Sequence, residues 1–213
     1  MGYFSTMDVT RYISAAEAVK KVASGNRVFM QGGAATPVHL VKALQQRHAE
    51  LEKVELISIT TLGDLNFDDP AFINSFYINS LFVSANTRSA VNSENGDYVP
   101  VFLSQIPQLF RKNILPVDVA LIHVSMPDQH GFCTLGTSVD VALSAVQNAR
   151  YVIAQVNPKM PRTHGDGFIH INKMDALVNH ECDLPEVDYS KKVNNCIARK
   201  GKNVASLVED GAT

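Results

Sequence analysis

The stretch VALIHVSMPDQHGFCTLG, residues 119–136, decides how the rest of the chain is interpreted. It opens with a short apolar run of the kind typical of a fully buried strand. The run breaks at Met126, Pro127 and Asp128, where a loop of polar and turn-forming residues begins. In α/β domains, loops that follow buried strands carry the side chains that meet a ligand. We therefore expect this strand and its loop to form one part of a ligand site.

Strand and helix patterns alternate along the rest of the chain. Further strands are predicted at 27–30, 54–59, 76–83 and 151–156. Helices are predicted from a capping box at Ser14, from an N-cap at Thr36, from Ser104 to Arg111, and over 139–149, 189–197 and 204–208. The alternation predicts an α/β fold with a mostly parallel, doubly wound sheet flanked by helices. Several strands end in Gly-, Pro-, Asn- or His-bearing loops, which we expect to converge on one edge of the sheet.

Composition narrows the class of protein. The chain has 213 residues, is 46% hydrophobic and carries a net charge of -2, with its basic residues scattered. This pattern argues against a nucleic-acid footprint. No apolar run approaches the roughly 20 residues that a membrane span needs, and the N-terminus lacks the signal-peptide pattern. Three widely spaced cysteines suggest reduced thiols, and we expect a cytoplasmic protein.

Two junctions offer groups that could bind an anion. At QGGAATP, residues 31–37, a strand meets a helix through two glycines, and free backbone N–H groups there could receive an anion or a carbonyl oxygen. Taken alone, the glycines are better explained by a tight turn. Arg88 follows a predicted strand beside Ser84 and Asn86, where its guanidinium could form a bidentate contact with a carboxylate or phosphate. A solvated surface arginine is the alternative.

Other chemistries lack their usual patterns. Ser125, Asp128 and His130 lie too close on one loop to form a triad unaided, and no G-x-S-x-G elbow is present. The tightest run of metal-ligand types is His180, Glu181 and Cys182, without an H-E-x-x-H or C-x-x-C spacing. We therefore predict no catalytic residue and no metal site from these patterns.

The last residues resemble the start of a second unit. VASGNR, residues 22–27, and VEDGAT, residues 208–213, share one outline: a helix, a polar stop with glycine, and the start of a strand. We therefore expect residues 1–200 to form one domain and residues 201–213 to begin a second, similar domain. A single matching unit is weak evidence for a repeat.

The same loops carry a resemblance to a known family. The stretches that carry it are 31–37, 85–88, 97–100, 104–107, 125–136 and 157–166. At these positions the sequence resembles the acetyl-CoA hydrolase/transferase family, and within it the 4-hydroxybutyrate and acetate CoA-transferases. The resemblance covers nearly the whole chain.

The resemblance implies a fold and a chemistry. The fold is the CoA-transferase domain, also found in ribose-5-phosphate isomerase-like proteins, with the active site between two such domains. A glutamate of the second domain attacks an acyl-CoA and becomes a glutamyl-CoA thioester, which an incoming carboxylate then resolves. Coenzyme A is thus a substrate, and no permanently bound cofactor is implied. The expected partners are an acyl-CoA, a small carboxylate, a C-terminal CoA-transferase domain and further copies in a homo-oligomer.

The residue types in this half suggest roles for its loops, which we state as hypotheses. Gln31, Gly32 and Gly33 would position the acyl or carboxylate oxygen, and Asn86 and Arg88 would hold the acid. Two loops would line the cleft and contact the pantetheine arm of coenzyme A. Their candidate residues are Ser125, Pro127, His130, Gly131, Asn157, Met160 and Pro161. The alternatives are an acyl-CoA hydrolase, a non-catalytic ligand-binding or regulatory domain, and a sugar-phosphate enzyme of the same fold.

Overall fold

A parallel sheet forms the centre of the molecule. The computed structural model describes residues 12–186, 188 and 193–212. Its seven-stranded sheet has the order β4-β3-β2-β1-β5-β7-β9, and every neighbouring pair is parallel. The strands are β1 Arg27–Met30, β2 Val54–Ser58, β3 Phe76–Ser80, β4 Gly96–Tyr98, β5 Val119–Ser125, β7 Tyr151–Asn157 and β9 Ala176–Asn179. The α/β, mostly parallel fold predicted from the sequence is therefore confirmed.

A small antiparallel pair lies outside the main sheet. It consists of β6, Phe132–Thr134, and β8, Phe168–His170. The strand β6 follows the loop of the opening stretch, so the polypeptide turns back immediately after leaving β5. Cys133 lies on this strand and is fully buried.

Helices cover both faces of the main sheet. They are α1 Ala15–Ala18, α2 Val38–Gln45, α3 Arg88–Val91, α4 Ile106–Arg111, α5 Ala142–Asn148 and α6 Asn195–Ala205. On one face Leu40 and Leu44 of α2 join the core that contains Val28 of β1. On the other face Phe110 of α4 packs in the core that contains Phe29. Successive strand residues point to opposite faces, so both sides of the sheet are buried.

Two helix starts differ from the sequence prediction. Helix α2 begins at Val38 with Pro37 as its N-cap, and the Thr36 hydroxyl donates to the Gly33 carbonyl instead of capping the helix. Ser104 lies inside a 3₁₀ turn, Leu103–Gln105, that precedes α4. In both cases a tight turn takes the residues that were expected to start the helix.

Two edge strands were missed. No strand was predicted over residues 96–98, but Gly96–Tyr98 forms β4 beside β3. No strand was predicted over residues 176–179, yet Ala176–Asn179 adds to the sheet as β9 next to β7. Both strands are short, and both are held by pairing with a distant segment, which local sequence patterns do not report.

The C-terminal part differs in its boundaries. The helix predicted over 189–197 begins at Asn195, capped by the Asn194 side chain, and it continues to Ala205. Residues 189–192 lie outside the described residues. All of α6 is exposed, and the domain boundary expected at 200/201 falls within it. Among the described residues, no helix is long and apolar enough to cross a membrane.

Candidate functional site

The loops that carry the candidate residues lie at one edge of the sheet. Since all main-sheet strands are parallel, the loops after β1, β2, β3, β5 and β7 leave at the same carboxyl edge. In open α/β sheets this edge is where ligands bind. The predicted convergence of strand ends therefore follows from the parallel pairing.

Gln31 has its polar atoms engaged within the protein. It follows β1 and is fully buried. Its Nε2 donates to the carbonyls of Leu135 at 2.9 Å and Ser138 at 2.7 Å, and its Oε1 accepts from the His123 backbone N–H at 2.7 Å. Both Nε2 protons are thus used within the protein, and a role of Gln31 in positioning a substrate oxygen stays a prediction. In this arrangement Gln31 ties β1 to β5 and to the loop after β6.

The two glycines bring the loops after β1 and β2 together. A Cβ on Gly32 would lie 2.6 Å from the Thr60 carbonyl oxygen, so only glycine fits there. Gly33, at φ +59°, donates its N–H to the same carbonyl at 2.8 Å. Its amide is therefore taken by Thr60, and the glycines serve a close approach of two loops.

Asn86 and Arg88 lie beside the next strand end. Asn86 Nδ2 donates to the Gly63 carbonyl at 3.1 Å, which links the loops after β2 and β3. Arg88 is the first residue of α3, and its side chain is exposed. It forms no ion pair with the residues that the structure describes. A guanidinium in this position is available to a carboxylate.

Asp128 organises the loop after β5. Its Oδ1 accepts from the backbone N–H groups of His130 and Phe132, both at 2.9 Å, and its Oδ2 accepts from Arg162 at 2.7 Å. The Phe132 N–H bond is the main reason why the pKa of Asp128 lies below its usual value, with smaller contributions from the His130 N–H and from Arg162. Asp128 is therefore a carboxylate that holds a loop, not one poised as a base.

The remaining loop candidates divide into exposed and buried groups. His130 and Pro161 are exposed, and Pro127 and Gly131 are half-buried. Three others are buried and have structural contacts. Ser125 Oγ accepts from the Thr134 N–H at 3.0 Å, Asn157 Nδ2 donates to the Cys182 carbonyl at 2.8 Å, and Met160 packs against Gly136.

A polar pair inside the sheet was missed from the sequence. His123 of β5 and Gln155 of β7 are register partners, both 1% exposed, and their Nε2 atoms lie 3.4 Å apart. Burial lowers the pKa of His123 to about 4, so the ring is neutral near pH 7. The sequence signal that could have revealed this pair is a polar residue at the matching position of β5 and β7, two otherwise mostly apolar strands.

The cysteines do not form a reactive group at this edge. Burial raises the pKa of Cys133 to about 12, which removes it as a thiolate near neutral pH. Burial is also the main cause of the raised pKa of Cys182, which lies next to Gln155 at 3.4 Å. Cys196 is exposed on α6.

An open cavity of about 740 Å³ lies at the same edge, at the ends of β2, β3 and β4. Thr60, whose carbonyl receives the Gly33 N–H, is one of its lining residues, so the cavity adjoins the glycine junction. Most of its other lining side chains are apolar. Among them are Ile59, Leu81, Phe82, Val101, Leu103 and Ile106.

Sequence comparisons show that the chain is similar to CoA-transferases. The chain is 39% identical over 203 residues to the 4-hydroxybutyrate coenzyme A transferase of Clostridium kluyveri, covering 95% of this chain and 47% of that protein. It is 41% identical over 197 residues to a succinyl-CoA:acetate/propanoyl-CoA:succinate CoA transferase of Fasciola hepatica, covering 89% and 40% of the two chains. The chain thus spans about half the length of these relatives.

Solved structures share the fold. RipA from Yersinia pestis superposes with a TM-score of 0.83 at 29% identity, covering 97% of this chain and 51% of that one. A 4-hydroxybutyrate CoA-transferase from Porphyromonas gingivalis gives a TM-score of 0.73 at 28% identity, covering 96% and 47%. The family model for the acetyl-CoA hydrolase/transferase N-terminal domain matches residues 7–189. The chain therefore belongs to the acetyl-CoA hydrolase/transferase family and contains its N-terminal domain.

Proposed function

We propose that the chain is the N-terminal half of a CoA-transferase that moves CoA between an acyl-CoA and a small carboxylic acid such as 4-hydroxybutyrate. Its relatives are CoA-transferases of about twice its length, which leaves room in them for a second domain. The observation that supports a carboxylate substrate best is Arg88, an exposed guanidinium at the ligand edge beside Asn86.

The proposed reaction uses a glutamate of the second domain. Its carboxylate attacks the thioester carbonyl, and the C–S bond breaks to give an acyl-glutamyl anhydride and the CoA thiolate. The thiolate attacks the glutamyl carbonyl, which releases the acyl group as a carboxylate and leaves a glutamyl-CoA thioester. The incoming acid repeats the two steps in reverse and departs as the new acyl-CoA, so the glutamate is regenerated.

The residues of this half bind and position. Arg88 holds the carboxylate by a forked pair of hydrogen bonds, and Asn86 keeps the adjoining loop in place through its bond to Gly63. The exposed part of the loop 126–136, including His130, faces the CoA arm. Gln31 acts through the loops that it joins, because both of its Nε2 protons are used within the protein. In this proposal the nucleophile belongs to the second domain, and the residues of this half bind and position the substrates.

A chimera tests this proposal. The chain replaces the N-terminal half of the Clostridium kluyveri relative, with which it is 39% identical over 203 residues. We expect transfer of CoA from acetyl-CoA to 4-hydroxybutyrate by the chimera and none by the chain alone. Intact-mass analysis after incubation with acetyl-CoA should show a CoA adduct that maps to the relative's half.

Two variants of the chimera locate the carboxylate contact. Arg88→Ala should raise the KM for the acid by roughly tenfold to a hundredfold, the loss of a charge-assisted hydrogen bond of about 1.5–3 kcal/mol. Arg111→Ala removes another exposed arginine, at the end of α4, and should leave that KM unchanged. An unchanged KM in Arg88→Ala would rule out the carboxylate role, and a folded chimera without transfer or adduct would contradict CoA transfer altogether.

A further inference from the structure

The cavity at the ends of β2, β3 and β4 has the size of a small-molecule site. Its volume of about 740 Å³ falls inside the range of roughly 300–1,000 Å³ that is usual for such sites. Acetate fills the space of only a few water molecules, at roughly 30 Å³ each. The cavity is therefore much larger than the smallest carboxylic acids require.

The lining of the cavity selects an apolar occupant. Leu81 and Ile106 form its buried wall, and Phe102 and Leu103, which are 75% and 57% exposed, form its rim. Exposed apolar side chains of this size around a concave surface favour a ligand that removes them from water. The pantetheine arm fits this lining poorly, because its amides need hydrogen-bond partners that a mostly apolar wall does not provide.

The position of the cavity gives the occupant a direction. Thr60 lies at one end and accepts the Gly33 N–H, so this end adjoins the glycine junction. Phe82, which also lines the cavity, lies near the start of the loop that leads from β3 to Arg88. A ligand with its carboxyl group near these loops would extend its apolar part towards the rim at Phe102.

We propose that this cavity binds the acyl chain of the substrate, and that the chain is an aliphatic group longer than acetyl. The assignment rests on the proposed CoA-transfer function for its biological role, whereas the binding of the acyl chain can be measured on this half alone. In this proposal the N-terminal half selects the length of the acyl chain, because Val101 and Leu103 limit how far that chain extends.

Methyl NMR of the 213-residue protein tests the proposal. The protein is titrated with acetate, butyrate, hexanoate and octanoate while the methyl signals of Ile59, Leu81 and Ile106 are followed. We expect the Kd to fall about three- to fourfold for each methylene that enters the cavity, as burial of about 0.8 kcal/mol per methylene gives. The methyl signal of Ile73, which is exposed and does not line the cavity, serves as the reference.

A matched pair of variants fills the cavity or leaves it open. Val101→Trp should weaken hexanoate binding at least tenfold, whereas Ile73→Trp should leave it unchanged. A Kd that does not depend on chain length, or shifts that occur away from the cavity methyls, would overturn the assignment. If Val101→Trp does not fold, the shift map of the unaltered protein still decides.

The outcomes separate this inference from the proposed function. Length-dependent binding at the cavity combined with an inactive chimera would support the cavity assignment and contradict CoA transfer. An active chimera combined with length-independent binding would support CoA transfer and overturn the cavity assignment.

Discussion

The imidazole rings of His39 and His180 stack face to face, with centroids 3.8 Å apart and planes 7° from parallel. His39 belongs to α2 and His180 follows β9, so the stack joins the helix after the first strand to the segment after the last one. Burial, followed by the charge on His180, lowers the pKa of His39. The stack is therefore most stable when the His39 ring is neutral.

Stability should fall as the pH drops below about 6.5. An unfolded histidine takes up a proton near 6.5, whereas folded His123 stays neutral down to about 4, so between these values the unfolded chain binds more protons. The shift amounts to roughly 3 kcal/mol for His123 over that window, and His39 acts in the same direction. Urea denaturation at pH 7.5, 6 and 5 measures the slope.

The histidine responsible can be identified by substitution. His123→Gln should flatten the pH dependence, because its neutral side chain takes up no proton in either state. His164→Gln removes an exposed histidine and should leave the slope unchanged. A full slope in His123→Gln would show that other groups cause the acid sensitivity.

Gln31→Ala should destabilise the protein by about 2–4 kcal/mol. The change leaves the carbonyls of Leu135 and Ser138 and the His123 N–H without their partner in a buried region. Gln46→Ala, at an exposed position after α2, should change the free energy of unfolding by less than about 0.5 kcal/mol. Chemical denaturation compares the two, and equal effects would refute the structural role of Gln31.

Gly32→Ala should separate the loops after β1 and β2. The new Cβ would meet the Thr60 carbonyl at 2.6 Å, and relief of this contact should cost about 1–3 kcal/mol. Hydrogen exchange at the Gly33 amide, which donates to that carbonyl, should become faster. Gly201→Ala in α6 meets no atom within 4 Å and should instead favour the helix by about 1 kcal/mol.

Asp128→Ala should loosen the loop after β5. The His130 and Phe132 amides lose their acceptor, so their hydrogen exchange should speed up at least tenfold, and Arg162 loses its ion-pair partner. Asp166→Ala, at an exposed position, is the control and should leave these amides unchanged. Because the pKa of Asp128 is lowered in the folded protein, its contribution should be present above its ordinary value of 3.8 and disappear as the pH falls through the folded pKa.

The sequence by itself determined the architecture and the edge of the sheet at which the candidate loops lie. The apolar run that opens at Val119 could only be buried, and its repetition at 27–30, 54–59 and 151–156 between helical patterns required a parallel sheet. Parallel strands place all of their carboxyl ends at one edge. The loops that carry the candidate residues could thus be placed at one edge of the sheet from local patterns alone.

Only the tertiary structure decided which groups at that edge remain available. The hydrogen bonds of Gln31, the contact between Gly33 and Thr60, and the pairing of His123 with Gln155 all join segments far apart in the sequence. Strands β4 and β9 likewise exist because a distant neighbour pairs with them. Local patterns report which faces are buried but not which distant residue receives each hydrogen bond, so the partners of the candidate residues followed from the packing.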